Sequence, residues 1–346
     1  MPVDYRIPFS GYIPSKKDFR DVRYGLAKGV DRFVPKSFMP KNLDKLVINK
    51  QTYGNCVGQA GRIIKVLQEW RDGSNMNANL DFSPDWLYNE CKFQETPDTR
   101  QQEGTEPRLL MKVLQKQGAV QQKYFPTLKK QDLTILATHP QLEDATKYKV
   151  DAYAEISTLV EAKQAMYYEG PIVAAGFIFE NFAKSTGLIG VEEGAYLGGH
   201  AYAMVGWDDN LTYEYPVIGK QKGHVAIVTS WGDSWGLHGV SWVPYYMFTY
   251  RNPDTQIPFF TEMWSSLDIR TSDVGIPDEA IKEGFEVLEL KIGSSTASVD
   301  GKLIPMAAPP ILYGGSTLVP LRFVAEQLGL NVSYTASTKI VRLTRK

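Results

Sequence analysis

The stretch QTYGNCVGQA, residues Gln51–Ala60, contains the side chain on which the fold and chemistry of this 346-residue chain depend. Its cysteine, Cys56, directly precedes apolar residues at helical spacing, which predicts that a helix begins at or near it. The unpaired N–H groups of a first helical turn favour negative charge, so a thiol there, with a histidine nearby, can have its pKa lowered from ~8.5 to ~3.5–7.5. The pattern favours a thiolate nucleophile; a small buried cysteine with a structural role is the alternative.

The chain has only one other cysteine, Cys91, so a disulfide framework is excluded beyond a single pair. Cys91 ends the segment Ser83–Cys91, which is typical of a capped helix with Pro84 at its first position. We therefore expect Cys91 to be structural. A bridge between Cys56 and Cys91 is the alternative, and it would remove the nucleophile.

A candidate base lies far downstream of this cysteine. His200 opens a predicted strand, Ala201–Asp209, which we expect to end in the Asp-Asp turn. Gly198 and Gly199 precede the histidine, so little bulk surrounds its imidazole and a substrate has room. A Trp-Gly-x-x-Trp-Gly segment then follows at 231–236.

Taken in order, these segments resemble the papain-like cysteine peptidases of the C1 family, particularly their bacterial and phage branch. The match covers about residues 10–270. The residues that carry the resemblance are Gly11–Pro14 with Asp18–Asp21, Gln51 with Gly54–Cys56, Gly199–Ala201 with Val205–Asp208, and Ser230–Gly236 with Gly239 and Val243–Tyr245.

The resemblance implies acyl transfer through a thioester, with Cys56 as nucleophile and His200 as general acid and base. It implies that Gln51 donates to the oxyanion beside the Cys56 N–H, and that Trp231 shields the histidine from water. Two residues depart from the family pattern. Thr229 stands where the family has the asparagine that orients the imidazole, and Gln51 lies five positions before Cys56 instead of six.

Two glycines are candidate substrate contacts. The resemblance implies that Gly104 hydrogen-bonds the substrate backbone, with a plain turn residue as the alternative, and Gly199 lies directly before the base. Clusters of cysteine and histidine and phosphate-binding loops are missing from the sequence, so we expect no metal and no cofactor.

The pattern of elements predicts an α+β protein with a two-lobed papain-like fold, a helical lobe followed by a lobe of antiparallel sheet or barrel. The active cleft would lie between these lobes. Helices are expected after Cys56, after Pro84, at 107–115 and at 157–168, and strands at 171–179, 200–207, 223–231 and 239–248.

Four segments are expected along the chain. Residues 1–45 form an extension, either a prosegment or an arm that crosses the cleft; residues 46–270 form the peptidase domain, and 271–285 a linker. Residues 286–346 resemble the copper amine oxidase N-terminal-like (stalk) domain, a small α/β appendage. The resemblance rests on Val299–Lys302, with a hairpin turn at Asp300-Gly301, and on Leu318–Glu326 with Leu328-Gly329.

Composition limits the partners. The net charge of −1 argues against nucleic acid as a partner, because its binding needs clustered positive charge. No apolar run approaches the ~20 residues of a membrane span, and the first residues carry no signal-peptide core. The stalk resemblance favours a secreted, cell-surface or phage-associated protein, with the stalk domain either contacting the cell envelope or packing on the peptidase.

The sequence thus predicts a cysteine endopeptidase that acts on proteins or peptides. An amidase or cell-wall peptide hydrolase that uses the same Cys56 and His200 is the first alternative. A catalytically weak papain-like binding protein is the second, and Thr229 together with the short Gln51 spacing favours it.

Overall fold

The computed structural model describes residues 11–18, 21–29, 32–72, 79–267, 288–299, 302–313, 316–327, 330–335 and 340–345. The chain divides into two compact units, Met1–Asp268 and Ile269–Lys346. The predicted linker at 271–285 and the Asp300-Gly301 turn lie outside the described residues.

Helices occupy mainly the first half of the first unit. They are α1 (Tyr24–Lys28), α2 (Cys56–Asp72), α3 (Pro84–Phe93), α4 (Pro97–Arg100), α5 (Pro107–Lys116), α6 (His139–Thr146), α7 (Leu159–Tyr168) and α8 (Glu180–Ala183), with α9 (Leu321–Gln327) in the second unit. Short 3₁₀ helices lie at Leu43–Lys45, Gln122–Tyr124 and Tyr245–Phe248.

Strands of the first unit form one antiparallel sheet. They are β1 (Ser37–Phe38), β2 (Ala152–Glu155), β3 (Ile172–Phe179), β4 (Tyr196–Tyr215), β5 (Gly219–Val228), β6 (Val240–Pro244) and β7 (Glu262–Leu267). Within the described residues their order is β2-β7-β3-β4-β5-β6, with β1 paired to β4. The predicted α+β fold is confirmed.

Alternation along the central strands gives the sheet two buried faces. Ala201, Ala203 and Val205 of β4 pack in the cluster that holds α2, α3 and α5. Tyr202 and Met204 point the other way, into the cluster that includes α7. The start of α2 therefore lies against β4, the strand that also carries His200.

Helix α2 is buried on nearly every side, because all of its residues from Cys56 to Gln68 are buried. The buried guanidinium of Arg62 in this helix binds both carboxylate oxygens of Asp81, at 2.6 and 2.9 Å. Helix α3 starts as its sequence predicts, with Ser83 accepting a hydrogen bond from the Trp86 N–H at 3.1 Å and Pro84 in the first turn. Cys56 and Cys91 are both buried free thiols, so the alternative bridge does not form.

Several predicted strand ends are wrong. Strand β4 does not stop at the Asp-Asp turn but continues to Tyr215 through a register shift between Asp208 and Thr212. The predicted strand 223–231 ends at Val228, and the predicted strand 239–248 turns into a 3₁₀ helix at Tyr245. Apolar alternation persists through such bends, which is why the pattern does not reveal them.

Among the described residues, the second unit contains a three-stranded antiparallel sheet and two pairs of antiparallel strands. Strands β8 (Leu288–Leu290), β9 (Thr296–Val299) and β10 (Lys302–Pro305) form the sheet. Strand β11 (Ile311–Tyr313) pairs with β12 (Ser316–Leu318), and β13 (Leu330–Thr335) with β14 (Ile340–Arg345). The pairing of Val299 with Lys302 agrees with the predicted hairpin.

Close packing of α2 on α3 leads to a stability prediction at Gly58, where a Cβ would lie 2.2 Å from the Pro84 carbonyl oxygen. An alanine in a helix normally stabilises it by ~0.5–1 kcal/mol over glycine. Because backbone cannot yield cheaply, we expect Gly58→Ala to lower the free energy of unfolding by about 1–3 kcal/mol instead. Calorimetric melting of the full chain checks this.

Gly61→Ala is the matched control. Its nearest obstacles are the side-chain ends of Leu110 and Leu87, at 2.6 to 3.1 Å, and these can move. The cost at Gly61 should therefore be smaller. A Gly58→Ala protein that melts at or above the parent temperature would contradict the packing described for α2.

Candidate active site

Cys56 is the first residue of α2, and a buried carboxylate fixes the loop before it. Asp85, in the first turn of α3, accepts hydrogen bonds from the Tyr53 hydroxyl at 2.6 Å and from the Asn55 side-chain amide at 2.8 Å. The Leu128 N–H binds its other oxygen at 3.0 Å. Burial raises the pKa of Asp85, while these three hydrogen bonds act to lower it. The carboxylate therefore anchors the loop that presents the thiol.

The Cys56 sulfur is surrounded by backbone N–H groups. The Ala201 N–H lies 3.4 Å from Sγ, and the N–H groups of Gly11 and Val57 are close enough to lower its pKa. Burial raises the pKa of the Cys56 thiol to about 11, although these N–H groups act to lower it. In this state the thiol is thus protonated at neutral pH, which differs from the low pKa that its place at a helix start favours.

His200 lies on β4 directly before Ala201, the residue whose N–H contacts the thiol. Its ring is fully buried and stacks on the Trp231 indole, with centroids 4.6 Å apart and planes 26° apart. Phe182 and Tyr202 lie further out, each 6.1 Å from the imidazole centroid. The structure therefore brings the predicted base to the strand that faces the predicted nucleophile, with Trp231 over its ring.

Gln51 is buried beside this site and joins two loops. Its amide N–H donates to the Tyr53 carbonyl oxygen at 2.9 Å, and its carbonyl oxygen accepts from the Ser230 hydroxyl. Its backbone N–H also binds the Ser230 carbonyl oxygen at 2.8 Å. The side chain is held in place between the nucleophile loop and the segment that leads to Trp231.

Thr229 does not orient the imidazole through a hydrogen bond. Its Oγ1 is buried, and within the described part of the chain it has no hydrogen-bond partner. The backbone N–H of Thr229 binds the Gly239 carbonyl oxygen at 3.4 Å.

Gly104 and Gly199 both contact the segment Gly11–Ile13. The Tyr12 N–H donates to the Gly199 carbonyl oxygen at 3.1 Å. Next to Gly104, Thr105 donates to the Gly11 carbonyl oxygen at 2.9 Å and accepts from the Ile13 N–H at 3.0 Å, a parallel pairing. Gly104 has a φ of 97°, and a Cβ on it would lie 2.9 Å from the Gly11 oxygen. Both glycines thus border a backbone path that passes the thiol.

Asp85 was not identified as a site residue from the sequence, and Tyr12 was noted there only as part of Gly11–Pro14. Asp85 is separated from Cys56 by many residues and carries no motif spacing. Asp85 follows Pro84 in a first helical turn, where acidic residues are common for reasons of capping alone. Only the fold shows that it reaches back to Asn55.

The raised pKa of Cys56 predicts how the thiol reacts. Only the thiolate is nucleophilic, so alkylation by iodoacetamide should accelerate about tenfold for each pH unit between 7 and 9, since the pKa is about 11. Peptide mapping of the labelled cysteine at each pH measures this. A rate that is already constant above pH 7 would contradict it, because it requires a thiolate formed at low pH.

Comparisons with known proteins agree with this geometry. The chain is 22% identical to xylellain, a cysteine protease from Xylella fastidiosa, with a TM-score of 0.59 over 75% of this chain and 96% of that one. It is 26% identical over 271 residues to an uncharacterized peptidase C1-like protein of Acanthamoeba polyphaga mimivirus, covering 68% of this chain and 81% of that protein. A gut-specific cysteine proteinase of Caenorhabditis elegans is 32% identical over 93 residues, 27% of this chain, and the match spans only 26% of that proteinase.

The second unit matches a different family from the first. Residues 279–343 match the copper amine oxidase N-terminal domain. Among the described residues, no helix is both long and apolar enough to cross a membrane. The chain therefore combines the papain-like fold of the C1 cysteine peptidases with a copper amine oxidase N-terminal domain at 279–343.

Proposed function

We propose that this protein is a cysteine endopeptidase that hydrolyses peptide bonds through an acyl-enzyme on Cys56. The observation that carries the proposal is the 3.4 Å contact from the Ala201 N–H to the Cys56 sulfur. It brings the residue next to His200 onto the thiol at the start of α2. Acyl transfer needs a thiol with an imidazole in reach, and this contact supports that pairing for Cys56 and His200.

The reaction proceeds in two halves. The imidazole of His200 takes the thiol proton, and the thiolate attacks the peptide carbonyl carbon to form a tetrahedral oxyanion. The amine then leaves with the proton from His200, and a thioester remains on Cys56. Water, deprotonated by His200, hydrolyses that thioester and restores the thiol. The Cys56 N–H and the Gln51 amide would stabilise the oxyanion.

Stacking, and not a hydrogen bond from Thr229, supports the orientation of the base in this proposal. The Trp231 indole covers the imidazole of His200 at 4.6 Å. An aromatic cover fixes the ring plane and excludes water, but it does not set the tautomer as an asparagine oxygen does. The proposed enzyme should therefore be slower than one with asparagine at position 229.

A catalytically weak binding protein is the second candidate. Two observations favour it: Thr229 Oγ1 makes no hydrogen bond within the described part of the chain, and burial raises the pKa of Cys56 to about 11. The raised pKa of Cys56 is also expected of a peptidase in a closed state, because a covered thiol loses its solvation.

We also propose that the first 45 residues include an arm that keeps the enzyme closed. Between Gly11 and Ile13 the arm makes β-type hydrogen bonds with Gly199 and Thr105, as an added strand would. Gly11 presents an N–H to the sulfur. A Cβ on Gly11 would lie 1.9 Å from the Gly54 oxygen, which shows how closely the arm is pressed onto the nucleophile loop.

Ion pairs support the arm on the helical side. Asp18 and Asp21 each lie 2.6 Å from the Arg108 guanidinium in α5. All three side chains are largely buried, so the pairs are screened less than surface pairs. They provide a place where the arm can be loosened without touching Cys56 or His200.

Substitution of the nucleophile tests the proposed activity. Cys56→Ala should abolish hydrolysis of unfolded protein and peptide substrates, because no thioester can form, while the melting temperature changes little. Cys91→Ala is the matched control: it removes the other buried thiol and should keep turnover per folded molecule. Undiminished turnover by folded Cys56→Ala protein would rule out the mechanism.

Loosening the arm tests the closed state. The double variant Asp18→Asn/Asp21→Asn should raise both the turnover rate and the rate of Cys56 alkylation at pH 7 by about tenfold, since loss of 1.4 kcal/mol of closure corresponds to that factor. Asp98→Asn, an exposed acid in α4, is the control for the change in charge. If neither rate changes in the double variant, the arm does not limit access to the thiol.

A further inference from the structure

A cavity of about 600 Å³ lies in the first unit, and neither Cys56 nor His200 lines it. Three parts of the chain enclose the cavity: the last turn of α2, the last turn of α7, and residues 38–42, which begin in β1. Binding sites for small molecules usually measure ~300–1,000 Å³. The cavity is therefore large enough for a small molecule, and the proposed acyl transfer does not use it.

Apolar side chains form most of this cavity. Leu67 and Met166 line it and are buried, so they form its floor. Phe38, Trp70 and Tyr167 line it and are half-buried, so they form its walls. Aromatic rings present large flat apolar surfaces, and a methionine side chain adapts to the shape that packs on it. The cavity therefore suits a flat apolar body.

Contacts within the protein hold the aromatic walls in place without a ligand. Phe38 pairs with Trp207 of β4, and its ring centroid lies 5.3 Å from that of Trp207 and 5.4 Å from that of Tyr167. The Trp207 indole N–H donates to the Pro35 carbonyl oxygen at 3.1 Å. A cavity with fixed walls loses little conformational entropy when a ligand enters it.

The polar groups that border the cavity can donate hydrogen bonds. Lys41 is exposed, and Asn42 and Tyr167 are partly exposed. Within the described part of the chain these three side chains make no hydrogen bond or ion pair. An ammonium, an amide and a phenol are all donors, and none of the described residues that line the cavity is acidic. Charge complementarity therefore favours an anion.

The helix ends at the cavity do not oppose an anion. A helix C-terminus carries partial negative charge on its unpaired carbonyl oxygens. At the end of α7, the Tyr168 oxygen accepts from the Arg71 guanidinium at 2.8 Å, the Glu169 oxygen from the Gln68 amide at 3.2 Å, and the Ala165 oxygen from the Glu169 N–H at 2.8 Å. Arg71 also lines the cavity and lies in the last turn of α2, where a cation offsets the partial charge of that helix.

We propose that this cavity binds a small aromatic carboxylate, with its ring system among the three aromatic walls and its carboxylate at Lys41. Ring faces pack well on one another, and a rigid ligand loses less entropy on binding than a flexible chain. The ammonium supplies a charge-assisted hydrogen bond to the carboxylate, and the Asn42 amide can add a second one. Because the site does not include Cys56, the proposal does not depend on the peptidase activity.

Titration of the full chain with indole-3-acetate, monitored by ligand-observed NMR, tests the site. Indole-3-acetamide is the neutral probe of the same shape. The carboxylate should bind with a Kd of about 1 mM or lower, which is in reach of a ligand of this size. It should bind about threefold more tightly than the amide, as expected of a partly exposed charge pair. Equal affinities, or no binding of either probe up to about 10 mM, would overturn the proposal.

Substitution of the cation tests where the carboxylate lies. Lys41→Gln should weaken the binding of indole-3-acetate about threefold and leave that of indole-3-acetamide unchanged. Lys45→Gln is the matched control, because Lys45 is also exposed and lies in the 3₁₀ helix at Leu43–Lys45, but is not among the residues that line the cavity. An equal loss of affinity in the two variants would show general attraction by surface charge and would overturn the site.

Filling the cavity tests where the ring lies. Met39 lines the cavity and is 37% exposed, so Met39→Trp should place an indole there and weaken both probes about tenfold with little change in melting temperature. Leu26→Trp adds the same ring at an 85% exposed position of α1 and should change neither affinity. Unchanged binding to folded Met39→Trp protein, or tighter binding of decanoate than of indole-3-acetate to the parent protein, would contradict an aromatic ligand in this cavity.

Discussion

The contact between the start of α2 and the middle of β4 is the constraint on which the rest of the structure depends. The backbone N–H of Ala201 lies 3.4 Å from the Cys56 sulfur, and the residues of the sheet on that face include the small side chains Ala175, Ala201 and Ala203. The same strand carries His200 one residue earlier, on the opposite face, beneath Trp231. Helix packing thus brings the thiol onto the strand that carries the imidazole, although the two residues are far apart along the chain.

Burial at this contact has two opposite effects. It supplies a dry site in which backbone N–H groups interact strongly with developing charge, which favours acyl transfer. It also raises the pKa of Cys56, because desolvation disfavours the thiolate. The arm at Gly11–Ile13 passes this contact, and its Gly11 N–H acts against the rise in the pKa of Cys56.

The sequence allowed prediction of the elements that local patterns encode. The helix does begin at Cys56, and the apolar run 171–179 is indeed a strand, because spacing and capping act over a few residues. Long-range geometry could not be predicted in this way. Such geometry depends on how distant strands and helices pack. Examples are the hydrogen bonds from Tyr53 and Asn55 to Asp85, the row of paired strand residues that joins Glu262 to Ala201, and the Thr229 hydroxyl, which has no partner within the described chain.

Trapping the acyl-enzyme tests the central claim most directly. Full-length protein is mixed with a peptide ester, quenched in acid within milliseconds to seconds, digested and mapped by mass spectrometry. The account predicts a transient acyl mass on the peptide that contains Cys56 and none on the peptide that contains Cys91. Ester hydrolysis that proceeds with no acyl mass on Cys56 at any time, or with the acyl group on another residue, would contradict it.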